Sequence, residues 1–418
     1  MGAPAARVSE LARHWVANGH EVTVLTGFPN HPTGVLHPEY RARFRRLVCR
    51  EQVDGINVIR TWLLPLPNRK SHERIINYSS FCVSAAVTGS FIGCPDVVIA
   101  TSPQLLVGIS GWWVSRIKRT RFVLEVRDLW PESLAAVGVG NSQSFLHRTL
   151  GGVARFLYRA SDHIVVVTPA FKEHIRSEWR IAGKKISVVP NGVETELFAP
   201  IGNSNSMRSD LGLEGRFVVS YIGTLGMAHD LGTVLDAAAT CRVLMPEVEF
   251  LLVGEGADKE RIVAEVRRRQ LGNVHLLPQQ ERKSIPALVA ASDACLVTLK
   301  GSEVFKTVIP TKMLEFMACA KPIVLAVQGQ ASELLKGAGA GICVPPQDPD
   351  SMVAAIRQLR DDRDLCRSLG QNGRSYMVEN LSRRQTAENY LGLLKEITSA
   401  GSSAISMAKA KFSSATRA

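Results

Sequence analysis

Along most of the chain, short runs of consecutive apolar residues alternate with longer stretches in which apolar positions recur every three or four residues. HEVTVLTG (20–27), INVIRTW (56–62), PDVVIATSP (95–103), FVLEVRD (122–128), HIVVVTP (163–169) and ISVVPNG (186–192) read as strands of a first half. Helical period marks residues 3–18, ended by Gly19, and then 75–92, 105–119, a segment ending near Tyr158, and 170–179. The second half repeats the scheme with FVVSYIG (217–223), VEFLLVGEG (248–256), VHLLP (274–278), ACLVTL (294–299), PIVLAV (322–327) and GICVPP (341–346), again with helices between. Strands that are apolar throughout need cover on both faces, and strands separated by helices pair in parallel. The expectation is an α/β chain of two doubly wound, Rossmann-like domains, 1–193 and 194–380. A helical pair, 349–375 and 382–397, closes the pattern, and the last helix (381–398) is expected to return to the first domain. Residues 399–418 are rich in Ser, Ala and Lys without an apolar period and read as disordered.

Such folds bind ligands outside the C-terminal ends of their strands, so the two domains are expected to face each other across a cleft. A doubly wound domain usually opens with a strand, a glycine-containing turn and a helix. Here Met1-Gly2-Ala3-Pro4 already reads as the turn. A strand upstream of Met1 is therefore expected, the first domain otherwise lacking its first strand.

The stretch VFKTVIPTKMLEFMACAKPIV (304–324) carries the sharpest local chemistry. Pro310 suits a first helical position, where its missing N–H costs nothing. The helix that follows offers free N–H groups, the positive end of its dipole, the Thr311 hydroxyl and the Lys312 ammonium, which together suit an anion such as phosphate. Glu315 shares their face. The same residues also fit an ordinary capped helix with a dipole-stabilising glutamate.

Several segments together resemble the retaining glycosyltransferases of family 4, which have the GT-B fold. They are IPTKMLEFMACAKPIV, VVPNGVETELF (188–198), FVVSYIGTLG (217–226), LLVGEGADKERI (251–262) and VHLLPQQERKSIPALVAASDACLV (274–297), with GAPAARVSELARHWVANGHEVTVLTG in the first half. PDVVIATSP and LEVRDLWPES (124–133) are most similar to the branch with N-acetylfucosaminyl-type transferases of capsule, O-antigen and colanic-acid assembly. The resemblance spans roughly residues 2–397. It implies a nucleoside-diphosphate sugar, UDP-linked by expectation, bound mainly by the second domain. Thr311 and Lys312 would hold the diphosphate, Glu315 the ribose hydroxyls, and the backbone at Leu277 and Pro278 the base edge. Gly223 and Thr224 match a turn that approaches the phosphates closely, and Gly2 a turn facing the reacting sugar. The chain departs from the common pattern where Thr307 stands in place of a glutamate, and where Thr224 and His229 stand in place of an Arg and a Lys. Lys312, with Lys306, His229 or Arg127, is then expected to carry more of the diphosphate's charge. Asp128 takes the place of a common histidine near the reacting carbon, and Asp128 and Glu132 are candidates for orienting the acceptor or stabilising oxocarbenium-like charge. A helix cap is the alternative reading for that pair.

Charge narrows the acceptor. The formal net charge is +12, and residues 1–193 hold 24 Lys and Arg against 13 Asp and Glu, so nearly all the surplus lies in the first half. That suits an anionic partner. The resemblance points to a polyprenyl-diphosphate-linked saccharide, reached by peripheral contact with anionic lipid on the cytoplasmic face of the plasma membrane. A 2-epimerase acting on a nucleotide sugar would use the same fold without acceptor or membrane. A nucleic-acid-binding protein is disfavoured, because no basic stretch is interleaved with aromatics.

The eight cysteines are scattered in apolar runs and read as reduced thiols. The histidines show no ligand spacing, so neither a catalytic metal nor another cofactor is expected. Asp348-Pro349-Asp350 reads as the start of a helix capped by Asp350, and Gly254-Glu255-Gly256 lacks the third glycine of a dinucleotide fingerprint. Trp112 and Trp113 read as core, with a lipid-facing anchor as the alternative.

Overall fold

The computed structural model of the chain describes residues 3–30, 34–66, 71–133, 145–202 and 205–415. It divides into two compact units, one formed mainly by residues 7–190 with the last helix from Thr386, the other mainly by 191–385.

In the N-terminal unit α1 (Ala3–Ala17) precedes β1 (Thr23–Gly27), α2 (Arg41–Phe44), β2 (Val48–Val53), β3 (Ile56–Thr61), α3 (Ser71–Ser90), β4 (Val97–Thr101), α4 (Leu105–Lys118), β5 (Arg121–Val126), α5 (Phe145–Ala160), β6 (His163–Val166), α6 (Pro169–Glu178) and β7 (Ile186–Val188). The strands form two sheets, β1-β3-β2 and β4-β5-β6-β7. All pairs are parallel except β2 with β3. The sequence pattern missed β2 because its charged residues (Arg50, Glu51) resemble the basic stretch before it. It is an antiparallel edge strand joined to β3 through the Asp54-Gly55 turn, with positive φ at both residues. β1 and β4 each pair on one side only.

One polar knot sits in this core. Glu125 on β5 accepts from Arg7 Nε (3.1 Å) and Nη2 (2.9 Å) and from the Thr101 hydroxyl at 2.6 Å, while Arg7 also donates to the carbonyls of Val189 and Pro190. Burial pushes the Glu125 carboxyl up, but Arg7, Arg127 and these hydrogen bonds outweigh it and hold it below the usual range.

The C-terminal unit runs α7 (Asn205–Asp210), β8 (Phe217–Ile222), α8 (Leu231–Leu244), β9 (Val248–Val253), α9 (Lys259–Arg268), β10 (Val274–Leu277), α10 (Ile285–Ala290), β11 (Ala294–Thr298), α11 (Thr311–Ala318), β12 (Ile323–Ala326), α12 (Gln330–Ala338), β13 (Gly341–Cys343), α13 (Pro349–Asp361) and α14 (Arg363–Asn380). Its six parallel strands lie in the order β10-β9-β8-β11-β12-β13. Chain order runs outward from β8 in one direction and from β11 in the other. The crevice beyond the C-terminal ends of β8 and β11 is therefore the topological switch point, where such sheets bind ligands. Both central strands are buried throughout, as their unbroken apolar runs require.

The helical ending differs from expectation. Residues 349–375 are not one helix, because the Asp362 side chain accepts from Leu365 N and starts a new one. The cap of α13 is Asp348, which accepts from Ser351 N at 2.9 Å. Asp350 lies inside the helix, since Pro349 fits its first position. The last helix, α15 (Arg383–Ala415), begins just after Ser382. Ala387, Tyr390 and Leu394 of this helix pack with Leu11, Val123, Val165 and Val189 of the N-terminal unit.

Removing Glu125 would leave the Arg7 and Arg127 guanidiniums uncompensated. Glu125→Ala should destabilise the N-terminal unit by about 3–5 kcal/mol in urea unfolding, whereas Glu125→Leu combined with Arg7→Met should recover part of that loss.

Candidate functional site

In the C-terminal unit the switch point is built from the ends of β8 and β11 and the start of α11. β8 ends in Gly223 at φ +151°, and an added Cβ there would lie 2.6 Å from Lys312 Nζ. Gly254, at φ +153°, lies against the same turn, and its Cβ would fall 1.9 Å from the Gly223 carbonyl oxygen. Only glycine fits at both positions. Together they let Lys312 lie across the turn.

Lys312 is half-buried as a residue, but its ammonium nitrogen is fully buried and has no hydrogen-bond partner among the described residues. It rests 3.8 Å from the centroid of the Tyr221 ring. The Tyr221 hydroxyl donates to the Thr224 carbonyl at 2.7 Å, which fixes the ring under the lysine. Burial brings the Lys312 pKa down to about 7, against an upward push from Glu315. His229, in the turn after Gly223, lies edge-on to Tyr221 with ring centroids 6.0 Å apart. Burial first, and then Lys312, press its pKa down to about 3, and its buried Nδ1 has no partner. That shift disfavours the charged imidazolium at this position.

Pro310 is the N-cap of α11, not its first residue: its backbone is extended and its carbonyl accepts from Met313 N. Thr311 therefore opens the helix, with Lys312 in the first turn. Glu315, on the same face, accepts from Arg282 Nη1 at 2.7 Å, and the Arg282 guanidinium lies 4.9 Å above the Phe198 ring. Sequence reasoning gave Arg282 and Tyr221 no role. Arg282 sits in a polar run after β10, and Tyr221 sits in a buried strand, so neither has a distinguishing local pattern. Leu277 ends β10, its carbonyl accepting from Gly254 N, and Pro278 follows it. Thr224 is exposed in the turn. Thr307 turns its hydroxyl to the Val304 carbonyl. Lys306 is half-buried, and its ammonium pairs with Glu303 at 2.5 Å.

In the N-terminal unit the segment after β5 presents a second polar group. The Ser102 hydroxyl accepts from Arg127 N at 2.7 Å and Asp128 N at 3.4 Å, which fixes the backbone where the strand ends. Burial raises the Asp128 carboxyl to about 6, against a downward pull from Arg127. Burial also lowers the pKa of Arg127, against the pull of Glu125. Asp128 lines a small cavity with Ser102, Gln104, Trp130 and Tyr158. Glu132 meets His174 Nε2 at 3.1 Å. Burial pushes Glu132 up, but the hydrogen bond from His174 and the neighbouring histidines outweigh it and the net shift is down. Beside Glu132 lies a cavity of about 320 Å³ lined by His147, Arg148, Arg155 and Trp179, a basic and aromatic wall. Gly2 lies outside the described residues. Among the described residues no group of three or more His, Cys, Asp or Glu is placed to hold a metal ion.

Comparisons with known proteins bear on family and fold. Residues 2–192 match the model of the glycosyl transferase 4-like domain, and residues 203–376 that of glycosyl transferases group 1. One relative is the Escherichia coli K12 protein named for colanic acid biosynthesis, glycosyl transferase WcaI. It is 26% identical over 366 residues, which cover 84% of this chain and 86% of the relative. Among solved structures, sucrose-phosphate synthase of Thermosynechococcus elongatus superposes with a TM-score of 0.78 at 21% identity, covering 96% of this chain and 94% of its own. Anabaena HepE in complex with UDP-glucose superposes with a TM-score of 0.68 at 17% identity, covering 90% and 100%.

The lysine is open to a direct check. In protein carrying ¹³C-labelled lysine, the Lys312 side-chain signal should titrate near pH 7, charged below and neutral above. Glu315→Gln should lower that midpoint, because it removes the negative charge that favours the ammonium. A midpoint near the ordinary lysine value would contradict the description of a dry, unpartnered amine.

Proposed function

The chain belongs to the glycosyltransferases of GT-B fold, and from that premise we propose that it transfers a sugar from a nucleoside diphosphate, UDP by first choice, to a lipid-linked saccharide in cell-surface polysaccharide assembly. The observation that carries the donor side is the Lys312 ammonium: buried, without a hydrogen-bond partner, and set in the first turn of α11 beside a glycine turn. A diphosphate supplies the acceptors that this ammonium lacks. The N–H groups of Thr311 and Lys312 and the Thr311 hydroxyl add donors at the positive end of the helix. As the glycosidic bond breaks, negative charge grows on the departing diphosphate, and donors already in position stabilise it without reorganisation. Glu315, held by Arg282, is assigned to the ribose hydroxyls, and the backbone at Leu277 and Pro278 to the base.

On the acceptor side we assign Asp128 to the attacking hydroxyl. With its pKa raised to about 6, it is largely ionised at neutral pH and protonated under mildly acidic conditions, so it can accept a hydrogen bond from the hydroxyl without becoming a strong base. Retention of configuration fits this division, with a donor phosphate oxygen taking the hydroxyl proton and no side chain required as general base. The basic and aromatic cavity beside Glu132 suits a phosphorylated acceptor. The E. coli relative's name, with its reference to colanic acid, supports cell-surface polysaccharide as the setting.

Titration calorimetry with UDP, GDP and ADP tests the donor site. UDP should bind, and Lys312→Met and Glu315→Ala should each weaken it by about tenfold or more, that is by at least about 1.4 kcal/mol. A folded protein that binds none of the three nucleotides would contradict the assignment. Asp128→Asn should leave UDP affinity unchanged while lowering kcat by about a hundredfold, and the anomeric proton of the product should show retained configuration by NMR.

A further inference from the structure

α3, α4 and α5 lie side by side on the N-terminal unit, and their outer surface has an unusual composition. The helices are locked together at their C-terminal ends: Lys118 Nζ donates to the Ile92 carbonyl at 2.5 Å and Arg116 Nη2 to the Ala160 carbonyl at 2.9 Å. Trp112 packs edge-on against Phe156, with ring centroids 5.0 Å apart, which joins α4 to α5. The inner faces are spent on packing, through Gly89 against Val114, Gly108 against Leu157, and Gly111 against Ala100 and Phe122. What remains outside is apolar. Val83, Val87 and Phe91 recur at intervals of four along α3, with Phe91 82% exposed. Trp113 and Ile117 do the same on α4, with Trp113 47% exposed, and Phe156 projects from α5. Trp113 is thus not the core residue that the sequence led us to expect.

The charges around this surface are almost all of one sign. The three helices hold one acidic residue, Glu73, against six basic ones: Arg74, Arg116, Lys118, Arg148, Arg155 and Arg159. Arg119, just past α4, adds another. Exposed aliphatic and aromatic side chains set among arginines and lysines, with a single acid on the three helices, are the composition of a surface that lies in a lipid headgroup layer. A symmetric contact with a second copy would bring the same positive charges face to face. Among the described residues no helix is long and apolar enough to cross a membrane.

We infer that the α3–α4–α5 face docks the enzyme on an anionic membrane surface, with Phe91 and Trp113 entering the headgroup region and the flanking arginines meeting lipid phosphates. The inference names the membrane contact that the proposed lipid-linked acceptor requires and rests on that reading. The face can be tested without acceptor or donor.

Co-flotation is measured with phosphatidylcholine vesicles, plain or with roughly one third phosphatidylglycerol, at low and high salt. Wild type should partition onto the anionic vesicles only. Phe91→Ser with Trp113→Ser should lower that partition by about tenfold, and Arg119→Glu with Arg159→Glu should do the same. Calorimetric UDP binding should stay at the wild-type value in both variants, which separates loss of the face from loss of the fold or of the donor site. Equal partition of variants and wild type, equal binding to plain phosphatidylcholine, or a self-association abolished by the same substitutions would each overturn the inference. Loss of nucleotide binding in wild type, with vesicle binding intact, would strike the functional reading and leave this face standing.

Discussion

An ammonium group inside the C-terminal unit with nothing to hydrogen-bond is the constraint from which the rest of the site follows. Burying an unpaired charge is costly, and the ring beneath Lys312 returns only part of what water would give. The lysine responds by giving up its proton more readily, its pKa brought down to about 7. Everything around it keeps that state in place. Gly223 leaves room for the side chain, Tyr221 supports it, the start of α11 aims it, and His229 stays neutral because it is buried with Lys312 as its neighbour. On the proposed reading a bound diphosphate would restore the proton and supply acceptors to the ammonium.

The N-terminal unit handles buried charge in the opposite way. Arg7 and Glu125 neutralise each other with nearly every donor and acceptor used, and this knot ties α1 to β5 and to the segment after β7. Arg127 and Asp128 follow directly on that strand. The raised carboxyl of Asp128 thus stands on a rigid base, just beyond the pair that holds the strand in position. On the proposed reading, a carboxyl fixed in this way orients the attacking hydroxyl.

Much of the fold was legible in the sequence, for a physical reason. Parallel strands covered on both faces must be apolar throughout, and FVVSYI, VEFLLV, ACLVT and FVLEV announce themselves that way. β2 escaped because it is an exposed edge strand with charged residues, and the break at Asp362 escaped because a cap within a polar run looks like ordinary helix surface. At the site, the Thr-Lys-x-x-Glu spacing was readable because helical geometry turns spacing into a shared face. Arg282 was not, since its meeting with Glu315 depends on how the segment after β10 folds back, which no local pattern encodes. The surroundings of His229 and Lys306 were not readable either: the burial of the first beside Lys312 and the pairing of the second with Glu303 come from the fold.

The most direct test of the central claim is a count of protons. Binding of UDP-glucose, whose diphosphate does not titrate near neutrality, would be measured calorimetrically at pH 7 in buffers of different ionisation enthalpy. If Lys312 is about half protonated when empty and fully charged against the diphosphate, binding should take up about half a proton, rising as the pH is raised and absent in Lys312→Met. Binding with no proton uptake at any pH between about 7 and 8 would mean that the ammonium is already charged or never meets the phosphates, and would contradict the central role of Lys312.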